Sequence, residues 1–467
     1  MNFTSRRDFL QKSGLGFGAL ALADLLSCEA QAGVSPTNPL AARPSRIDGT
    51  AKNIIFLFMQ GGPSQLETFD PKPLLTRYDG QLLPESLRNV DLAQINASDS
   101  QVMAPLFPFK KCGQSGQDIS SIFPHLRRHA DKLAVIRSMH HDLFIHGPAM
   151  TIMHSGTQLL GHPSLGSWVV YGLGSESDSL PAYLAMTDGI FRNGASMYSS
   201  GFLPAVYQGM AVRSEGVPIQ NLSRNQAMSA AGQRKLLDQV NGWNRQYSDA
   251  RPGDSRLDAR IANYELAFRM QSSAPELIDI STETAATRQL YGVDAEPSAR
   301  FGKMCLLARR MVERGVRFVQ LISGGWDAHG DCRGNHESQA KKVDQPIAGL
   351  ITDLEQRGLL ESTLLVWVGE FGRTPIRQGG NGRDHHPYGF SAWMAGGGIR
   401  GGKTIGATDD FGFNAVDDLV HVNDLHATMF SLMGVEHEQL TYFFEGRDRR
   451  LTDVGGRNDL AARLVRT

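Results

Sequence analysis

Cysteine is scarce, at four in 467 residues. Beyond the N-terminal region only Cys112, Cys305 and Cys332 occur, and none forms a Cys-x-x-Cys pair. That excludes a disulfide framework and a thiolate zinc or redox site, and no spacing supports a Cys112–Cys332 bridge. Cys305 falls at helical spacing in "ARFGKMCLLARRM" and reads as core. Surplus charge is missing too. The formal net charge is -1, which argues against a nucleic-acid or polyanionic partner. No apolar run is long enough for a stable membrane span. A Gly-x-Gly-x-x-Gly turn opening a helix and a Gly-x-Ser-x-Gly elbow are absent. "AGGGIRGG" is therefore no phosphate loop and "GFSAW" no nucleophile elbow.

What is present begins with a leader. "TSRRDFLQKSG" carries Arg6 and Arg7 ahead of Phe9 and Leu10, then comes the short glycine-rich run "GLGFGALALADLL" and the small-x-small "AQA" at Ala30–Ala32. Residues 1–32 resemble a twin-arginine signal, which implies the twin-arginine export machinery as a partner and a periplasmic or extracellular destination. Such export carries folded cargo, in keeping with a protein that loads a metal before crossing. A lipoprotein anchored at Cys28 ranks lower, because Asp24 interrupts the apolar run. Residues 33–50, rich in Pro, Ser and Thr, read as a linker.

The remainder alternates between strand-like and helix-like segments. "NIIFLFM" (53–59) reads as a strand buried on both faces, and "KLAVIRSM" (132–139), "PAYLAM", "VRFVQLIS" and "STLLVWVGE" read as further strands. "SARFGKMCLLARRMVERG", "HESQAKKVDQPIAGLITDLEQRG" and "HVNDLHATMFSLMG" read as amphipathic helices. Residues 223–271 read as a polar helical insert, and "QGGNGRDHHPYG" as a polar loop. The expected fold is an α/β domain over 51–455, a doubly wound, mostly parallel sheet with helices on both faces, followed by a 456–467 tail.

Strand tips of such a fold display chemistry. "SGGWDAHGD" brings Asp327, His329 and Asp331 directly off an apolar strand. The first strand leads to Gln60, Gly61, Gly62, Ser64, Glu67 and Asp70, and the second to His140, His141, His146 and His154. Later tips carry Glu370 and Arg373, then Arg383, Asp384, His385 and His386. Taken singly these have plainer explanations: Asp327-x-His329 as an Asx turn, Glu370 as a cap. Together they suit a divalent cation, zinc first, with manganese, magnesium or calcium as alternatives. Neighbours on a strand face opposite ways, so at most one of His385 and His386 is expected to be a ligand.

The order of "FMQGGPSQLETFDPKP", "HGPAMTIMHSG", "GGWDAHGD", "GEFGRTP", "GRDHHPYGFSAWMAGGG" and "HVNDLHATMFSLMG" resembles a family known only as domain of unknown function 1501. That family is related to the alkaline phosphatase and sulfatase superfamily. The resemblance implies one metal held by Asp327, His329 and His385 or His386. It also places Gln60 where that superfamily has an aspartate, Glu370-Phe371 where it has Asp-His, and His146 where its nucleophile belongs. A second metal site is therefore expected to be lost, or rebuilt with Glu67 or Asp70.

Two functional readings follow. One is an exported metal-dependent hydrolase of a small-molecule or carbohydrate phosphate or sulfate ester. In it Glu370 acts as base, Arg373 and Arg383 neutralise the anion, and His146 protonates the leaving group or forms a phospho-histidine. The other is a non-catalytic binding or envelope-assembly protein that keeps the fold.

Overall fold

The computed structural model describes residues 39–88, 92–214, 228–250, 255–456 and 460–465. The signal-like segment lies outside the described residues, as do residues 33–38 of the linker. No helix among the described residues is long and apolar enough to cross a membrane.

The first strand, β1 (Asn53–Gln60), shows why the chain folds as it does. Ile54, Phe56 and Phe58 pack into one core, while Ile55, Leu57 and Met59 pack into a second on the opposite face. An uninterrupted apolar run is what a strand covered on both sides requires. Around it stand β2 (Ala134–His140), β3 (Tyr183–Thr187), β4 (Met210–Arg213), β5 (Phe318–Gly324) and β6 (Thr363–Val368). A hairpin of β7 (Gly372–Gln378) and β8 (Gly382–His386) stands off the sheet. Then follow β9 (Phe390–Gly396), β10 (Lys403–Ile405) and β11 (Val420–His421). The sheet has nine strands in the order β10-β2-β9-β6-β1-β5-β3-β4, with β11 also paired to β2. Only β9 runs antiparallel to its neighbours.

Helices cover both faces. On the face of Phe56 lie α1 (His146–Ser155) and α2 (Leu165–Leu173). The polar region read as an insert forms the paired helices α3 (Ala230–Asp249) and α4 (Ser255–Ile278). On the face of Leu57 lie α5 (Ala299–Glu313) and α6 (Cys332–Gln356). The last long helix, α7 (Val422–Leu432), returns to the face of Phe56. This is the doubly wound α/β architecture expected from the alternation of strand and helix.

One local expectation was wrong. Residues 382–386, read as part of a polar loop, form β8, and all five are buried. Their polar side chains have buried partners, so polarity here marks a site and not a solvated loop.

Two core histidines pack at α1, one bonded within that helix and one tying α7 to it. His154 donates Nδ1–H to the Met150 carbonyl at 2.7 Å and meets Phe58 edge-on at 4.5 Å. His426 donates Nε2–H to the Met153 carbonyl at 2.9 Å. Burial pushes each imidazole down to about 4. The unfolded chain takes up these protons near 6.5, so stability falls as pH drops from about 6.5 towards 4. At pH 5 each imidazole is expected to cost about 2 kcal/mol relative to neutral pH. Urea unfolding should show a clearly lower midpoint at pH 5 than at pH 7.5, and equal midpoints would contradict the buried, neutral state.

Candidate functional site

The site is built where the parallel strands end. β5 runs out through Gly324 and Gly325 to Asp327 and His329. β6 leads to Glu370, and the hairpin brings Arg373 and His385 back over the same edge. The connection after β2 ends at His146, the first residue of α1. The glycines at the β1 tip make this convergence possible. Gly61 has φ 118°, and a Cβ there would lie 2.5 Å from the Asp327 backbone nitrogen. Its N–H donates to both oxygens of Glu370, at 2.9 and 3.0 Å.

Four side chains meet. His146 Nε2 lies 3.0 Å from Asp327 Oδ2, and His329 Nε2 and His385 Nε2 lie 2.9 and 3.2 Å from Asp327 Oδ1. The Nε2 atoms of His329 and His385 are 2.9 Å apart. One donor atom from each of His146, Asp327, His329 and His385 falls within 4.8 Å of all the others.

The outer ring nitrogens decide what the inner ones offer. His385 Nδ1 donates to the Phe144 carbonyl at 2.8 Å, and His146 Nδ1 donates to Glu370 Oε1 at 2.6 Å. His329 Nδ1 faces Gln378 Oε1 at 2.5 Å, while the amide nitrogen of Gln378 donates to Gln94. Each Nδ1 thus carries the proton, and in the neutral rings each Nε2 turns a lone pair inward. Two lone pairs facing at 2.9 Å repel unless a cation lies between them. Histidine ligands are commonly oriented in this way, by a carbonyl or carboxylate on the far nitrogen. The residues present therefore fit a metal, and imidazole nitrogens beside a carboxylate suit zinc better than magnesium or calcium, which take oxygen ligands.

Burial disfavours the charged form of Asp327, but its contacts with His146, His385 and Arg373 outweigh burial and hold the carboxyl well below the usual range. Burial also pulls His146 down, yet hydrogen bonding to Asp327 and Glu370 raises it overall. His385 is lowered by burial.

Several expected participants lie elsewhere. His386 points away from His385, as strand alternation requires, and donates to the Phe413 carbonyl from a fully buried position. Burial lowers its pKa to about 4. Arg383 does not reach the cluster. It is fully buried against Glu67 at 2.9 Å and donates to the carbonyls of Met103, Ala104 and Thr374. Glu67, whose pKa burial raises, is thereby tied down. Asp70 pairs with Lys72 at 3.2 Å and accepts from Thr408. Neither carboxylate rebuilds a second metal site. Asp331 caps α6, accepting from Gly334 N at 3.0 Å. His140 packs on His421, and His141 Nε2 contacts the Glu370 carbonyl at 2.6 Å from behind.

Arg373 reaches the cluster but faces inward. It is fully buried, binds Asp327 Oδ1 at 2.8 Å, and donates to the carbonyls of Gly61, Gly62 and Arg383. Three participants went unnoticed in the sequence: Gln378, the Phe144 carbonyl, and Arg192, whose Nη1 is 3.6 Å from Asp327 Oδ2. Arg192 had a usable signal, since "DGIFRNG" is a turn-rich loop straight after a buried strand.

A family model described as "Protein of unknown function (DUF1501)" matches residues 51–461. Among solved structures, the chain is similar to the PsFucS1 sulfatase from Pseudoalteromonas sp. (14% identity, TM-score 0.35, 90% of this chain and 72% of that one). It is also similar to the lipoteichoic acid synthase LtaP from Listeria monocytogenes (10%, TM-score 0.39, 87% and 77%). A third likeness is to the alkaline phosphatase from the Antarctic bacterium TAB5 (8%, TM-score 0.34, 82% and 98%). No curated protein matches. The chemistry below comes from the chain's own residues, because likenesses this distant transfer no activity.

The Arg383–Glu67 pair generates a separable test. Arg383→Met leaves a buried carboxylate without its partner and should cost about 3–5 kcal/mol in urea unfolding. The bound-metal content of the folded variant should be unchanged. Loss of metal without loss of stability would place Arg383 in the cluster after all.

Proposed function

The chain belongs to the DUF1501 family, and for it we propose an exported, metal-dependent hydrolase of phosphate or sulfate esters, including those of carbohydrates. The observation that carries this reading is the inward convergence of three Nε2 atoms on the Asp327 carboxylate. Asp327, His329 and His385 would hold the ion, zinc by preference. A zinc ion there would polarise an ester oxygen and acidify a water.

The remaining roles belong to the side chains. Arg373 holds Asp327 ionised and oriented, which its full burial and its four hydrogen bonds to protein atoms suit better than contact with substrate. His146 is placed to carry a proton at Nε2, to or from the reacting oxygen. Glu370 orients the ring, since its own oxygens already accept from Gly61 N and His146 Nδ1. It is thus an orienting carboxylate in place of the free base expected from sequence.

One observation favours the second reading, a non-catalytic binder. The clustered groups are imidazole, carboxylate and guanidinium, with no hydroxyl or thiol nucleophile among them. A hydrolase of this design must therefore use water directly, or His146 itself.

Elemental analysis separates the two. The hydrolase reading expects about one zinc per folded chain, lost in His385→Ala and Asp327→Ala. It also expects hydrolysis of an aryl phosphate or aryl sulfate, reduced about a hundredfold or more in His146→Ala, with zinc retained. A folded wild type that holds no metal and cleaves neither ester contradicts it.

A further inference from the structure

Both arginines expected to meet the substrate's anionic group are fully buried against protein partners. The guanidinium that faces the cluster from outside is Arg192, on the loop after β3, with 41% of its side chain exposed. That loop is held at several points. Asp188 accepts from Gly324 N at 2.9 Å and Ser323 Oγ at 2.8 Å, fixing one end to the β5 tip. Asn193 donates from Nδ2 to the Gly147 carbonyl at 2.7 Å, fixing the other end to α1.

Between them stands Gln60, the residue at the β1 tip. Its Oε1 accepts from Arg192 N at 3.2 Å and its Nε2 donates to the Ile190 carbonyl at 3.3 Å. One primary amide thus satisfies a donor and an acceptor two residues apart. An ionised Asp or Glu has no N–H or O–H to donate and would repel the Ile190 carbonyl. A residue that looks like a degraded metal ligand in the sequence therefore has a role that only an amide can fill.

We propose that Arg192 binds the tetrahedral oxyanion of the ester and that Gln60 is the positioning residue that presents it. The inference rests on the hydrolase reading. The Arg192 backbone is pinned while its guanidinium is half in water, 3.6 Å from Asp327 Oδ2 and longer than a hydrogen bond. The side chain can turn from Asp327 to an incoming anion without breaking a tight contact. A guanidinium offers two parallel N–H groups to a pair of phosphate or sulfate oxygens, a match that lysine's point charge lacks.

The test is titration calorimetry of zinc-loaded protein with inorganic phosphate and with sulfate, alongside metal content and thermal melting. Arg192→Gln should weaken binding of the preferred oxyanion about tenfold or more, with Arg192→Lys intermediate. Gln60→Met, close in size but without either hydrogen bond, should weaken it in the same direction. All three variants should keep their zinc, and both Arg192 variants their melting temperature, while Gln60→Met should melt slightly lower for the two hydrogen bonds lost. Preference between the two titrants identifies the ester as phosphate or sulfate. If zinc-loaded wild type binds neither anion, or Arg192→Gln binds as tightly as wild type, the inference is overturned while the metal site stands. If wild type holds no zinc, the hydrolase reading fails and this inference with it.

Discussion

The geometry of the strand tips depends on where three imidazole protons sit. Each Nδ1–H is engaged outward, on Phe144 O, Glu370 Oε1 and Gln378 Oε1, so each ring turns Nε2 to the same small volume, bare whenever that ring is neutral. Neutral rings facing lone pair to lone pair beside a carboxylate repel one another. The rest of the fold must hold that arrangement in place, and a bound cation would turn the same repulsion into coordination energy. The second partners come from separate elements: the connection after β2, the turn that follows β6, and β7. That dispersal makes the ring orientations a property of the whole sheet edge.

Charge at this edge is sorted by burial. Arg373 and Glu370 are both wholly inside, and each supports a neighbour: Arg373 holds Asp327, and Glu370 holds His146. Arg383 and Glu67 form a second pair further in, locking the β8 strand to the segment after β1. Only groups nearer the rim, Asp327, His329, His146 and Arg192, keep enough exposure to meet a ligand. Burial separates support from contact, whereas charge and residue type alone group them together.

That sorting explains what the sequence did and did not disclose. The central strands were legible because a strand covered on both faces needs an unbroken apolar run, as in "NIIFLFM". Asp327, His329 and His385 were legible as chemistry-bearing residues at strand tips. Which of His385 and His386 faces the cluster was not, because strand alternation fixes that they differ but not which way each points. Arg383 was misplaced because a guanidinium near histidines looks the same in sequence whether it meets a substrate or a buried glutamate. Gln378 and the Phe144 carbonyl carry no signal at all, since a neutral acceptor behind a histidine is ordinary until the ring is seen. The hairpin at 372–386 was hidden for a related reason: hydropathy reports solvent exposure, and this segment is polar and buried.

The central claim is that the inward Nε2 atoms and the Asp327 carboxylate bind a metal. X-ray absorption at the zinc edge of the folded, zinc-loaded protein addresses it most directly. The account predicts nitrogen and oxygen ligands at about 2.0–2.2 Å, with the outer-shell scattering of at least two imidazole rings. That imidazole signal should diminish in His385→Ala. A spectrum of oxygen ligands alone, unchanged by that substitution, would contradict it.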